Sequence, residues 1–217
     1  MTRANDSVPL LLGHRGARAS RHIPENTLES FELCLQHGCD GFEFDVRRSA
    51  DGRAVICHDS VLGGLEVART DAEDLSLPLL EQVLLQFSTR AFLDIELKVE
   101  GLEKQLVAAL RTHPPRRGFV VSSFLGGVLS AVNRLDAGIP LGFLYDQKEQ
   151  QPPAVALAYS VPHFTLLTGE FVEQFHKAGS KVMTWTVNRA EDMHRLADYG
   201  VDAIISDDTE LLVQAFR

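Results

Sequence analysis

Thiols are scarce in this chain of 217 residues: its three cysteines, Cys34, Cys39 and Cys57, are odd in number and share no CxxC spacing. That leaves no framework of disulfides and no thiolate set for zinc, and it fits a reducing compartment. Positive charge is short as well, with 21 Lys and Arg against 30 Asp and Glu and a formal net charge of −9. Such a chain repels phosphate backbones, which argues against nucleic acid or an anionic membrane as the main partner. Any anionic small molecule it handles has to be met by cations gathered in one place. No apolar run approaches the roughly 18 residues a membrane span needs, and Met1 to Pro9 carries one arginine and no long apolar stretch. A soluble, unsecreted, cytoplasmic protein without stable membrane insertion is expected; oligomeric state is not readable. Linkers, low-complexity tracts and short repeats are also missing, so residues 1–217 read as one domain. At this size roughly 70% of the unfolded surface is buried on folding, and no staples are required.

What is present is an alternation of short apolar runs with amphipathic stretches. Strands are expected at Val8 to Leu12, Gly41 to Val46, Phe92 to Leu97, Gly118 to Ser122, Leu141 to Leu144, His163 to Leu167, Lys181 to Thr186 and Ala203 to Ser206. Helices are expected from Glu25 to about His37, with Asn26 or Thr27 as N-cap, and at Leu79 to Phe87, Leu102 to Thr112 and Leu125 to Leu135. Further helices are expected at Pro153 to Ala158, Glu170 to Ala178, Ala190 to Tyr199 and Thr209 to Phe216. Ala54 to Cys57 is one more strand-like run. It follows its predecessor too closely for a parallel crossover and must return as an antiparallel hairpin arm. Eight βα units remain, the number that closes a (β/α)₈ TIM-type barrel, with its site at the C-terminal strand ends. The alternative is an open doubly wound sheet, which would want a Gly-rich phosphate loop after the first strand; Gly13-His14-Arg15-Gly16 is not one.

Two constellations fall at strand ends. In Gly41-Phe42-Glu43-Phe44-Asp45 the strand period of two puts both carboxylates on one face and both phenylalanines on the other. Asp51-Gly52 is a signal for a two-residue hairpin turn, which would set His58 directly opposite Asp45. In Phe92 to Lys98 the same alternation separates Leu93, Ile95 and Leu97 from Asp94, Glu96 and Lys98. Glu43, Asp45 and Glu96 crowded at a barrel mouth would repel one another unless a cation sits between them. With oxygen donors only, one hard divalent ion, Mg²⁺ or Ca²⁺, is favoured; a metal-free network of the carboxylates with Lys98 and arginine is the other reading. Asp94, one layer deeper, is expected to support rather than ligate. The second constellation is His14, Arg15, His58 and Lys98. Arg15 and Lys98 suit the oxygens of a phosphate, and two imidazoles can take and give the protons that cleavage of a phosphodiester requires. Of the remaining histidines, His163 is undecided and the others look like loop or helix-surface residues.

His14-Arg15-Gly16, Pro24-Glu25-Asn26-Thr27, Glu43-x-Asp45, His58-Asp59, Glu96-x-Lys98, Ser123-Phe124, Trp185-Thr186-Val187-Asn188 and Gly200 to Asp207 follow one another in an order that resembles the glycerophosphodiester phosphodiesterase family. The likeness runs from about residue 10 to 208. It implies a TIM-type barrel and metal-dependent hydrolysis of small glycerophosphodiesters to glycerol 3-phosphate and an alcohol, within glycerol and lipid metabolism. His14 and His58 would then be acid and base, Glu43, Asp45 and Glu96 the metal ligands, Arg15 and Lys98 the phosphate binders, and Trp185 the wall on the glycerol side. Asn26 would cap the first helix and brace the His-Arg loop. Family members commonly insert a longer cover after the His-Asp motif, whereas only Ser60 to Leu77 stands here, so an open site with broad head-group tolerance is expected. Ser206-Asp207-Asp208-Thr209 replaces the family's usual Thr-Asp-x-Pro, a change at a helix start that puts little in doubt. Alternatives are a lysophospholipase D-type phosphodiesterase and a non-catalytic phosphate- or metal-binding module.

Overall fold

The computed structural model describes residues 8–217; most of the segment Met1 to Pro9, on which the expectation of no leader rests, lies outside them. In chain order the elements are β1 (Leu10–His14), α1 (Leu28–Gln36), β2 (Gly41–Arg48), β3 (Ala54–Ile56), β4 (Val61–Leu62), β5 (Leu65–Glu66), α2 (Ala72–Leu75), α3 (Leu80–Phe87), β6 (Phe92–Leu97), α4 (Glu103–Thr112) and β7 (Phe119–Ser123). They continue with α5 (Gly126–Leu135), β8 (Leu141–Tyr145), β9 (Tyr159–Pro162), α6 (Gly169–Lys177), β10 (Lys181–Thr184), α7 (Ala190–Tyr199), β11 (Ala203–Ser206) and α8 (Thr209–Gln214). Eight parallel strands run in the order β1-β11-β10-β9-β8-β7-β6-β2, and pairing of β1 with β2 closes the barrel. β3 lies outside it, antiparallel on the protruding end of β2. No helix among the described residues is long and apolar enough to cross a membrane.

Strand alternation divides the apolar residues between two cores. Leu12, Phe92, Val120, Leu144, Tyr159, Val161, Met183, Ala203 and Ile205 fill the barrel interior. The outer residues pack on the helices, and the densest point there is aromatic. Phe42 and Phe44 leave the outer face of β2, Phe31 of α1 stacks on Phe42 with centroids 4.2 Å apart, and Phe87 of α3 meets Phe42 edge-on at 5.1 Å. This cluster fixes β2 against two helices, and β2 carries two of the carboxylates. At its start Gly41 passes so close to β6 that a Cβ would fall 1.9 Å from the Phe92 carbonyl oxygen, so the approach of the two strands requires glycine there.

Three expectations need correction. The hairpin arm is not centred between Asp51 and Gly52: Val46 pairs with Ile56 and Arg48 with Ala54, so Cys57, not His58, faces Asp45 and donates its N–H to the Asp45 carbonyl at 3.0 Å. The Ser49 N–H bonds Arg53 O at 3.0 Å around a three-residue loop in which Gly52 takes φ 82°, the longer hairpin that a left-handed glycine permits. A one-residue slip exchanges faces within a ladder, yet His58 escapes the consequence because β3 has ended at Ile56 and His58 stands on the loop beyond. The sixth barrel strand is Tyr159–Pro162, before the expected run, and a 3₁₀ turn occupies Phe164–Leu166. Proline without an N–H is tolerated at that strand end. Finally, Pro153 to Ala158 forms no helix. Val155 N–H turns back to Pro153 O, and a stretch of so few residues, entered from Pro152, is too short to nucleate one, so the β8–β9 crossover is a loop.

The short cover folds as a β4–β5 hairpin turned by Gly63 and Gly64, both at positive φ, followed by a 3₁₀ turn and α2. Val67, Ala72 and Leu75 pack it on Val55 and Cys57 of the arm, while Val61, Leu62 and Leu65 stay exposed. Because Phe31 joins α1, β2 and α3, Phe31→Ala is expected to lower unfolding stability by about 3–5 kcal/mol, read from urea midpoints; a loss under about 1 kcal/mol would show the cluster repacks without it.

Candidate active site

Registers between neighbouring strands line up the inward side chains at the barrel's C-terminal mouth. His14 is level with Glu43, Glu43 with Asp94, Asp45 with Glu96, and Glu96 with Ser122. Past His14 the chain turns at once, with Arg15 at φ 56° and Gly16 at φ 85°. The turn aims the Arg15 N–H at Glu43 Oε2, 3.0 Å away. Its carbonyl accepts from the Asn26 N–H and from Ser30 Oγ, both at 3.0 Å. Asn26, itself at φ 58°, donates Nδ2 to Asp45 Oδ2 at 2.8 Å. Thr27 rather than Asn26 caps α1, accepting from the Ser30 N–H at 3.1 Å. Asn26 thus braces the His-Arg loop with its backbone and a carboxylate with its side chain.

Glu43, Asp45 and Glu96 are buried and present one oxygen each, all within 4.8 Å of one another. Lys98 Nζ lies 2.8 Å from Glu96 Oε1 and 3.3 Å from Asp45 Oδ1, and Arg15 Nε lies 3.2 Å from Asp45 Oδ2. Arg15 also reaches Glu25 at 2.7 Å. These two cations do not balance the site. Glu43 Oε1, Asp45 Oδ1 and Asp94 Oδ2 are buried without a hydrogen-bond partner. Burial, reinforced by Asp45, Glu96 and Asp94, pushes the Glu43 carboxyl well up. Burial likewise takes Glu96 to about 7 against the pull of Lys98, and Asp94 to about 7 against its hydrogen bond from Ser122. Asp45 goes the other way: burial would raise it, but Lys98, Arg15 and Asn26 outweigh that and hold it low. Oxygen-only donors within 4.8 Å of one another, buried oxygens of Glu43 and Asp45 without a hydrogen bond and a surplus of negative charge fit a hard divalent cation held by Glu43, Asp45 and Glu96.

A cavity of about 240 Å³ opens beside these groups, lined on one side by His14, Arg15, His58 and Lys98 and on the other by Phe124, Leu144, Trp185 and Ile205. Of the residues singled out in the sequence, His14, Arg15, Glu43, His58, Glu96, Lys98 and Trp185 line this cavity, and Asp45 joins Glu43 and Glu96 in the carboxylate cluster. Trp185 spends its indole N–H on the Val161 carbonyl at 3.1 Å and meets Phe124 and His163 edge-on. It offers the cavity an apolar surface. Ser123 faces away, donating to the Leu97 carbonyl at 2.7 Å and accepting from the Leu125 N–H. His58 Nδ1 is hydrogen-bonded to Oδ1 of its neighbour Asp59 at 2.7 Å, and Arg47 Nε donates to the His58 carbonyl at the same distance.

Asp207, Asn188 and Phe124 were not picked out as site residues. Asp207 Oδ1 accepts from His14 Nδ1 at 2.7 Å, and Asn188 Nδ2 donates to Asp207 Oδ2 at 2.7 Å. The available signal was barrel closure itself: once the last strand pairs with the first, Gly13 stands level with Ser206, and the next residues are neighbours.

Asp94 and Glu96 both bind protons more tightly folded than unfolded. Stability from these groups is therefore greatest below their ordinary carboxylate range and falls as pH rises from there through about 7. In EDTA-treated protein, Asp94→Asn, which can still accept from Ser122, is expected to raise the thermal midpoint at pH 8 and to change it little at pH 4. An equal effect at both pH values would mean that Asp94 carries no buried charge.

The sequence matches the model of the glycerophosphoryl diester phosphodiesterase family over residues 14–113 and 89–211. A glycerophosphodiester phosphodiesterase of Caldanaerobacter subterraneus subsp. tengcongensis is 31% identical, covering 96% of this chain and 98% of the relative. That alignment spans 239 residues against the 217 of this chain, so the relative carries segments absent here. Among solved structures, a putative glycerophosphoryl diester phosphodiesterase from Silicibacter pomeroyi superposes with TM-score 0.87 at 25% identity, covering 98% of this chain and 94% of the other. A phosphodiesterase from Oleispira antarctica, in complex with the product sn-glycerol-3-phosphate, superposes with TM-score 0.83 at 28% identity, covering 96% of each. The same barrel, and a sequence likeness that runs from His14 almost to the C-terminus, lead to one conclusion: this chain belongs to the glycerophosphoryl diester phosphodiesterase family.

Proposed function

We propose that this protein hydrolyses glycerophosphodiesters to glycerol 3-phosphate and an alcohol, with Glu43, Asp45 and Glu96 holding one divalent cation, Mg²⁺ or Ca²⁺. The observation that carries the reading is the convergence of two imidazoles, two cationic side chains and an under-neutralised carboxylate cluster on one cavity. The product bound to the Oleispira relative supports the substrate class. A bound cation would supply charge stabilisation for the phosphate oxygens and lower the cost of deprotonating a nucleophile. The chain's own groups do the rest. Arg15 and Lys98 receive the phosphate oxygens, Arg15 with a planar fork and Lys98 as a point charge. Trp185, with Phe124 beside it, bears on the carbon skeleton of glycerol.

Cleavage forms a new bond from oxygen to phosphorus and breaks the bond to the alcohol oxygen. One imidazole accepts the proton of the attacking hydroxyl, and the other delivers one to the departing oxygen. The attacking hydroxyl belongs to water in direct hydrolysis; in the alternative it is the substrate's own glycerol hydroxyl, and water then opens the cyclic phosphate. Both routes need two histidines of opposite protonation, and His14 and His58 face the cavity from β1 and from the loop after β3. A second reading is favoured by one feature. The exposed Val61, Leu62 and Leu65 follow His58-Asp59 after a single serine, which suits a monoacyl substrate whose chain lies outside the cavity, as in a lysophospholipase D.

The test is release of glycerol 3-phosphate from glycerophosphocholine by EDTA-stripped protein with Mg²⁺, Ca²⁺ or Mn²⁺ returned. Activity restored by metal is expected, and its loss by roughly 10²–10⁴-fold in His14→Ala and in His58→Ala with the fold intact. Wild-type turnover in either variant would refute its role, and no release with any ion would refute the proposed reaction. In the same assay the choline, ethanolamine, inositol and glycerol diesters should differ by no more than about tenfold, since the short cover leaves few contacts for the alcohol. A strict preference for one would contradict an open site.

A further inference from the structure

We propose that Asp207 is the positioning residue of His14: it fixes the imidazole with its proton on Nδ1, so that Nε2 is the atom that exchanges a proton in the cavity. This rests on the catalytic role proposed for His14. The two residues are 193 positions apart and meet because β11 pairs with β1. Asp207 is itself held from several sides. Asn188 Oδ1 accepts from the Asp207 N–H at 2.9 Å and from Ser206 Oγ at 3.1 Å, which leaves its side-chain amide no orientation except to donate Nδ2 to Asp207 Oδ2. Arg18 Nη1 donates to Oδ1 at 3.0 Å. Burial alone would raise Asp207; the donations from His14, Asn188 and Arg18 outweigh it and keep the carboxyl ionised, hence an acceptor only. The proton at the 2.7 Å contact therefore belongs to His14 Nδ1, and Nε2 is turned toward Glu43, 4.0 Å away.

His58 has no such mount. Its partner Asp59 is the adjacent residue, and the two side chains are 34% and 70% exposed against 14% and 22% for His14 and Asp207. One imidazole is oriented by the closure of the barrel, the other by a surface neighbour.

A merely structural clip between β1 and β11 would have the same contacts, so the test must read the tautomer. Asp207→Asn keeps size and shape. Its new NH₂ group cannot face Asn188 Nδ2, a donor locked in place, and has to face His14, while Arg18 can move away to Glu25, which it already contacts. Facing a donor, His14 Nδ1 must give up its proton and Nε2 must take it, the wrong tautomer for a base at the cavity. Adding Asn188→Asp restores an acceptor next to the new amide. The amide can then turn its NH₂ to position 188 and its oxygen to His14.

The experiment is ¹⁵N NMR of imidazole-labelled, metal-free protein at pH 8 together with steady-state kinetics of the metal-loaded enzyme. Wild type should show His14 protonated on Nδ1, Asp207→Asn on Nε2, and the double variant on Nδ1 again. In parallel kcat should fall by roughly 10²–10⁴-fold in the single variant with KM within about threefold, and recover by at least about tenfold in the double variant. Wild-type protein with the proton on Nε2 would overturn the proposal without recourse to any variant. So would a folded Asp207→Asn enzyme with unchanged kcat, or a double variant that regains the tautomer but no turnover. His14→Ala separates the two layers: if it is active, the catalytic reading itself fails, whereas an inactive His14→Ala beside a fully active Asp207→Asn sinks only the role of Asp207.

Discussion

Four buried carboxylates, Glu43, Asp45, Asp94 and Glu96, share the mouth of this barrel with two buried or half-buried cations, Arg15 and Lys98. Ionised carboxylates are costly out of water unless paired, and the structure pairs only some of them. Asp45 receives Lys98, Arg15 and the Asn26 amide and stays low; Glu43 receives one backbone N–H and is pushed well up. Glu43 Oε1, buried without a hydrogen-bond partner, marks where the charge is uncompensated. Most of the local architecture follows from holding this unfavourable group together. The left-handed turn at Arg15 delivers an N–H to Glu43, the left-handed Asn26 reaches across to Asp45, and Ser122 donates a hydrogen bond to Asp94.

The scaffold bears that strain on its other face. Each strand that presents acids inward presents large apolar residues outward, Phe42 and Phe44 from β2, Leu93, Ile95 and Leu97 from β6. Burying a side chain of this size is worth roughly 1.5–3 kcal/mol, so the outer core can carry an inner face that is locally unstable. The aromatic contacts among Phe31, Phe42, Phe44 and Phe87 lie behind the strand that brings Glu43 and Asp45 to the site. The candidate site lies on the side of the barrel where stability was given up, as expected for a site at the C-terminal strand ends.

Much of this was legible from residue order alone, and the failures are instructive. Period two separated Glu43 and Asp45 from Phe42 and Phe44 correctly, because face is a local property of a strand. Eight parallel strands followed from counting, and the barrel absorbed a misplaced sixth strand because Tyr159–Pro162 and the run after it are both apolar. Register was not legible: Asp51-Gly52 suggested a two-residue turn where a three-residue loop formed, and Cys57 took the place opposite Asp45. His58 still lines the cavity, since it lies beyond the ladder where register no longer governs direction. Asp207 and Asn188 stayed hidden for a different reason. Their importance depends on contacts made across the closure of the barrel, and a motif read along the chain does not show which end meets which.

Under the proposed function, the cluster of Glu43, Asp45 and Glu96 is completed by one divalent cation. The measurement to make is isothermal titration of EDTA-stripped protein with Mn²⁺, beside the Glu43→Gln variant. One ion per chain is expected in the wild type, with binding weakened at least about tenfold when Glu43 loses its charge. Folded wild-type protein that takes up no ion, or a variant that binds as well as the wild type, would contradict it and leave Lys98 and Arg15 as the site's only neutralising charges.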